Sequence, residues 1–422
     1  MIIGLTDIQK MGHRLAETIS GRSLSPINFA DEAESALRRL PMVLGASTVG
    51  IAEFLCDKSA PIQSDVSFSD MPVIVFRHQS FYIELLHWRN ATTSIHAHAF
   101  AGAFMVLQGS SLHTPWKIKR TSTASPNLAL VDAELILAEH LRAGDIRKII
   151  PGETGLVHSL YHLESPSISL VVRTEGCKDQ FSLFRPGLWL NHLRFLMSRR
   201  MQSFQRLIRY AEYTEPGSAR LVLRSLGKHL NLDQWIYLLL SNHNLLDSEM
   251  VVEDILDHRS DVPDNLGNAI RLAIVHAQTV DLVTRARDSI SDPDLRFFLA
   301  LLLNVSEKPL VLDQIAARFP EKDPALTCAN LLLILARYRG DPRHRLARIA
   351  AASSDDYRIG VEVRSAIGLE FPDDNAVFLL QNIISTDGEC GCDSPGGTID
   401  RSQCETIRDR IGRIPLFKVL VA

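Results

Sequence analysis

The chain is 422 residues long, with 46% hydrophobic and 22% charged residues and a formal net charge of −4. That is ordinary globular composition, long enough for two or three domains and a sizeable buried core. It excludes a basic field for nucleic acid or anionic membrane, and the longest apolar runs, such as 297–303, are far too short to span a bilayer. The first seven residues reach Asp7 without a basic start or a long apolar stretch, so a secretory signal is not expected. A cytoplasmic protein is expected, with Cys56, Cys177 and Cys328 as reduced core or surface thiols.

Residues 1–45 carry helical spacing. Ile8, Met11, Leu15 and Ile19 recur every three to four positions, and Ala33, Leu37 and Leu40 repeat the pattern in a second segment. The intervening stretch 21–28 is rich in Ser, Pro and Gly and reads as a loop. From about 71 to 174 the pattern changes to short strands rich in β-branched and aromatic residues. They run at 72–77, 81–88, 103–107, 116–120, 145–150 and 167–173. The segment 129–140 fits either a strand pair or a short helix. Many short strands with turn residues between them indicate a sandwich or small barrel.

From about Gly187 the period is helical. Leu193, Met197, Met201, Phe204 and Ile208 form an apolar stripe opposite Arg199, Arg200, Arg206 and Arg209, read as core against a solvated basic face. Asp292-Pro293 and Asp323-Pro324 each open a strongly apolar helix, and Asp341-Pro342 repeats the pair. Their spacing suggests stacked helical pairs of HEAT-like or related type. The tail from Gly388 is rich in Gly, Asp and Ser and ends in a short charged helix. Its Cys390-x-Cys392 and Cys404 make an incomplete metal set and read as a loop. The expected organisation is α+β and multidomain: helical elements over 1–68, a barrel over 69–186, an all-α domain over 187–387 and a tail over 388–422.

The chemistry concentrates at three histidines. His96 and His98 lie two apart, so on a strand both imidazoles face one side. His158 follows the Pro151-Gly152 turn and Gly155 and enters a later strand. A small barrel can gather all three around one ion in a dry interior. No Gly-rich phosphate loop, Gly-x-Ser-x-Gly elbow or His-Glu-x-x-His motif offers a competing site.

These residues resemble the cupin family over about residues 70–175. His96-x-His98 followed by Gly109 is similar to its first motif. Gly144, Pro151, Gly155 and His158 are similar to its second. The family's usual glutamate ligand would fall at Gly102. Its absence looks like the three-histidine thiol dioxygenases of the cysteine dioxygenase type, as does the run 81–88, Ser94–His98, Leu107-Gln108-Gly109. The resemblance implies a cupin (double-stranded β-helix) barrel and a mononuclear Fe(II) oxygenase with His96, His98 and His158 as metal ligands. By position it implies Arg77 as the clamp for a substrate carboxylate. The family's catalytic tyrosine has no counterpart in 167–173; Tyr161 stands near His158 instead. His87 reads as structural packing and His162 as a supporting or surface residue; for His113, just past Gly109, lining the pocket is the lesser alternative.

Three neutral imidazoles leave half an octahedral shell open for substrate and O2 and leave the site positive, which suits an anionic thiolate or carboxylate. The same donors also fit Zn, Ni, Mn or Cu. The expected activity is O2-dependent oxidation of a small anionic, thiol- or amino-acid-like substrate, carried on a peptide or partner if the helical domain binds one. The alternatives are a ligand-binding regulatory module with a helical protein-interaction domain, and a non-oxidative cupin isomerase or lyase. No nucleic-acid or membrane partner is expected.

Overall fold

The computed structural model describes the chain except residues 1, 41–42, 45–46, 64–67, 90–92, 177–178, 247–255, 257–261, 291, 338–372, 386–392, 395–396, 399–400, 415 and 422. Asp341-Pro342, Cys177, Cys390 and Cys392 lie outside the described residues. By compactness the chain divides into two units, residues 1–136 with 140–277, and 137–139 with 278–422.

The first unit begins with the two-residue strand β1 (Ile2–Ile3), α1 (Leu5–Ile19) and α2 (Pro26–Arg38). The loop ends sooner than its composition suggests, because the Ser25 hydroxyl accepts from Asn28 N and Pro26 opens the first turn. β2 (Val43–Leu44) pairs in parallel with β1, and α3 (Thr48–Cys56) follows. The barrel strands are β3 (Met71–Arg77), β4 (Phe81–Trp88), β5 (Ile95–Ala97), β6 (Gly102–Gln108), β7 (Ser110–Ser125), β8 (Leu128–Leu135), β9 (Glu139–Arg142), β10 (Ile146–Ile149), β11 (Val157–His162), β12 (Ser167–Thr174), β13 (Ser182–Phe184) and β14 (Leu188–Leu190). The ambiguous 129–140 segment is therefore extended.

Two antiparallel sheets form the barrel. One has five strands in the order β10-β6-β12-β4-β3. The other runs β11-β5-β13-β14-β8-β7-β9, with β7 also pairing with β11. β7 achieves this by changing partners: Ser111–Trp116 face β11 and Trp116–Ser125 face β8.

The five-stranded sheet is buried on both sides, so its strands read as near-continuous apolar runs. One face, with Ile83, Leu85, Met105, Leu170 and Val172, packs under Ile8, Met11 and Leu15 of α1 and Phe29, Ala33 and Leu37 of α2. The other, with Leu86, Trp88, Phe104, Val106 and Val171, lines the barrel interior.

The helical period expected from Gly187 starts later, because Leu188–Leu190 pair with both β13 and β8. The apolar stripe then divides between α4 (His192–Leu196) and α5 (Arg199–Thr214), where the Ser198 hydroxyl caps the second start. α6 (Ser218–Gly227) and α7 (Leu232–Ser241) pack Leu223, Trp235 and Leu239 with Ile208, and α8 (Asp264–Ser289) follows.

In the second unit, α9 (Pro293–Asn304), α10 (Lys308–Arg318) and α11 (Pro324–Arg337) precede α12 (Asp373–Ser385) and α13 (Arg401–Gly412). Both expected Asp-Pro starts are present. Asp292 Oδ1 accepts from the Asp294 and Leu295 amides, and Asp323 Oδ1 from the Leu326 amide. Cys328 is buried in α11 and Cys404 in α13. No described helix is long and apolar enough to cross a membrane.

Candidate metal centre

Strand pairing brings the distant histidines together. In the antiparallel β5–β11 register His158 lies directly opposite His96, and cross-strand neighbours are close enough for their side chains to meet. His98 follows one residue past β5, and its carbonyl accepts from Gly152 N of the Pro-Gly turn. One potential ligand atom from each of His96, His98 and His158 lies within 4.8 Å of the others, and all three residues are buried.

The hydrogen bonds select the free nitrogens. His96 Nδ1 donates to the Ser94 carbonyl at 2.7 Å, and His98 Nδ1 to the Leu156 carbonyl at 3.1 Å. Each bond fixes the proton on Nδ1 and leaves Nε2 as the lone-pair donor. His96 Nε2 is buried with no hydrogen-bond partner. His158 Nδ1 lies 2.7 Å from Nε2 of the buried His113 on β7. Burial is the main cause that pushes the His96 imidazole down to about 4, against a raising bond from Ser94. Burial, followed by neighbouring histidines, holds His98 and His158 well below 6.5. All three are therefore neutral at neutral pH, the form that binds a metal. The donor set fits a divalent transition ion.

At Gly102, where the resemblance would place a fourth ligand, a Cβ would lie 2.0 Å from the Val172 carbonyl oxygen of β12, so no side chain, carboxylate or other, fits. Gly109 closes the β6–β7 turn with φ +78°.

A cavity of about 40 Å³ lies against His98 and His158, roughly the space of three waters. Trp88, Phe100, Phe104 and Leu160 form much of its apolar wall, and Phe68 stands at its edge, 43% exposed and edge-on to Trp88 and His96. Two charged residues also line it. Arg173 Nη1 pairs with Glu84 Oε1 at 3.2 Å, and its guanidinium lies 3.5 Å over the Phe100 ring. Burial raises the Glu84 carboxyl and Arg173 opposes that. Arg173 Nε and Trp88 Nε1 are buried donors without a hydrogen-bond partner.

Arg77 and Tyr161 lie elsewhere. Arg77 is exposed, pairs with Glu175 and stacks on Tyr82. Tyr161 is buried and alternates with His158 and Leu160 along β11, so it points to the opposite side of the strand. His162 is buried, stacked on Trp88 and bonded through Nδ1 to Ser111 and Ser167, and His87 Nδ1 bonds to the Met71 carbonyl. Trp88, Arg173, Glu84 and the pairing of His113 with His158 escape sequence reasoning. The signals available were the lone carboxylate inside the apolar run 81–86 and an arginine ending an apolar strand.

No family model and no curated protein match the sequence. Solved structures with some similarity include hydroquinone 1,2-dioxygenase from Sphingomonas sp. TTNP3, at 16% identity and TM-score 0.21, covering 26% of this chain and 68% of that one. An uncharacterised protein with a double-stranded β-helix domain from Klebsiella pneumoniae aligns at 16% identity and TM-score 0.19, covering 31% and 90%. An oxalate oxidase bound to the substrate analogue glycolate aligns at 19% and TM-score 0.19, covering 34% of this chain and 61% of that one.

Proposed function

We propose that the chain is a mononuclear non-haem Fe(II) oxygenase of the cupin type, which oxidises a small anionic, thiol- or amino-acid-like substrate with O2. His96, His98 and His158 would hold the ion. The observation that carries the reading is the buried, neutral histidine triplet, with the Nδ1 protons of His96 and His98 engaged, beside two buried N–H donors that lack acceptors.

When bound, the ion supplies Lewis acidity and one-electron chemistry to substrate and O2. The chain does the rest. Ser94 and Leu156 carbonyls hold two imidazoles in the ligating tautomer. Arg173 Nε and Trp88 Nε1 offer hydrogen bonds to an oxyanion or thiolate, and leaving such donors unpaired in the interior is costly enough that a ligand acceptor is favoured. In this reading Arg173, which lines the cavity, takes the anion-binding role that position had suggested for Arg77. Phe100, Phe104 and Leu160 exclude water around the reacting atoms.

Protein reconstituted anaerobically with Fe(II) is expected to hold one iron per chain and to consume O2 only with substrate, across a panel of thiols and amino acids at an oxygen electrode. His96→Ala is expected to lose both. Stoichiometric iron in that folded variant overturns the assignment, and turnover without O2 overturns the oxygenase.

A further inference from the structure

A second, larger cleft of about 520 Å³ lies on the other side of Phe100, within the size range of small-molecule sites. It is walled by the α1–α2 connection, the β3–β4 turn and the loop Ala99–Ala101. The two spaces share one residue, Phe100, in the loop before β6; Arg173 in the cavity and Thr174 in the cleft lie on opposite faces at the end of β12. Phe100 is buried, with its ring under the Arg173 guanidinium and edge-on to His98 at 5.0 Å.

The lining has a definite chemistry. Leu24, Phe29 and Phe100 give an apolar patch, and Ser20, Ser25 and Ser80 give hydroxyls. Among the described residues no Asp or Glu lines the cleft, whereas Arg22 does. Arg22 is braced by Glu32 and the Thr18 carbonyl, but both bonds are made by Nη1, which leaves Nη2 and Nε as donors. The first turn of α2 at Ser25-Pro26 adds the positive end of a helix dipole to this wall.

We propose that this cleft binds the non-reacting end of the substrate, an elongated amphipathic acid, with its anionic tail at Arg22 and its apolar body on Leu24, Phe29 and Phe100. The reacting end passes Phe100 to reach the histidines. This rests on the oxygenase reading for the reacting end only. It also accounts for a cavity at the histidines that holds no more than about three waters: that cavity takes a functional group, and the cleft takes the rest of the molecule.

The probe is 4-phenylbutyrate, with 4-phenylbutylamine as its cationic isostere, titrated by calorimetry into Co(II)-loaded and metal-free protein. The acid is expected to bind at least tenfold more tightly than the amine in both forms. Ser80→Trp, at an exposed turn position that does not threaten folding, is expected to block the cleft and weaken the acid at least tenfold. Arg22→Ala is expected to reduce the preference for acid over amine several-fold. The acid is also expected to shift the Co(II) visible bands in the wild type and not in Ser80→Trp. Equal affinity for acid and amine, or indifference to Ser80→Trp, overturns the cleft as an anion site. Cleft binding with unchanged Co(II) bands overturns the passage at Phe100. Failure to take up Co(II) sinks the metal reading alone, because calorimetry on the metal-free protein still decides the cleft.

Discussion

The two sheets of the barrel solve the same problem, polar groups inside an apolar interior, in different ways. The five-stranded sheet buries charge. It carries Glu84 and Arg173 on β4 and β12, and each polar head is tolerable there because the other is beside it. The seven-stranded sheet and the loop that follows β5 bury neutral rings. His96 and His98 each lose one N–H to a backbone carbonyl and keep one lone pair. One wall of the cavity therefore offers hydrogen-bond donors, and the other offers metal ligands. The difference teaches that burial can prepare a site in two ways: by pairing a charge, or by suppressing one.

Removing a ligand has the largest expected effect. His96→Ala is expected to abolish metal binding outright, read as iron per chain, while a circular dichroism spectrum remains that of the barrel. Next comes Gly102→Ala. Its Cβ would meet the Val172 carbonyl at 2.0 Å, so β6 and β12 must separate. Overpacking of this kind costs about 3 kcal/mol. A chemical-denaturation midpoint unchanged by Gly102→Ala would show that the missing fourth ligand is not enforced by packing.

The suppressed charges make a pH prediction. His96 is pushed down to about 4 in the folded chain, and so is the half-buried His192 of α4; His98, His158 and His276 lie well below 6.5, with desolvation the main cause throughout. On unfolding they return to about 6.5. Between these values the unfolded chain binds more protons, so the contribution to stability is complete above about 6.5 and is lost as pH falls towards 4. Denaturation of metal-free protein across that window should show a steep decline. Triple replacement of His96, His98 and His158 by Gln should flatten it. An equally steep decline in the triple variant would move the effect away from the site.

The charge pair on the other sheet should give a smaller effect. Arg173→Leu leaves Glu84 buried without its partner, at a cost of about 3 kcal/mol, discounted because the arginine side chain is 18% exposed. Adding Glu84→Leu should recover most of the loss in a denaturation series. Additive losses in the double variant would mean that the two residues act separately.

How far the sequence discloses this molecule follows from the range of each interaction. The barrel was legible because short strands with turn residues between them are local signals. So were the helix starts at Asp292 and Asp323, where cap and proline adjoin. The histidine pattern was legible because His96 and His98 share a strand face and His158 follows a recognisable Pro-Gly turn. Arg173 and Glu84 were not, because they meet only through the β4–β12 register, 89 positions apart. Strand β14 was missed for a similar reason. Leu188–Leu190 is a three-residue apolar run whose state is decided by β13 and β8 on either side.

The mildest test of the comparison concerns His113. Its Nε2 lies 2.7 Å from His158 Nδ1, and both rings are buried. If His158 binds metal through Nε2, its Nδ1 carries the proton and donates to His113, which is then protonated on Nδ1. His113 thereby does for His158 what backbone carbonyls do for His96 and His98. A supporting group of this kind is worth about 10- to 100-fold in metal affinity. His113→Leu should weaken metal binding to that extent in a chelator competition, without changing the number of ions bound. His113→Gln, whose amide oxygen can accept the same proton, should restore most of the affinity. If Leu and Gln weaken binding equally, His113 only fills space, and the hydrogen bond contributes nothing to holding His158 in its ligating tautomer.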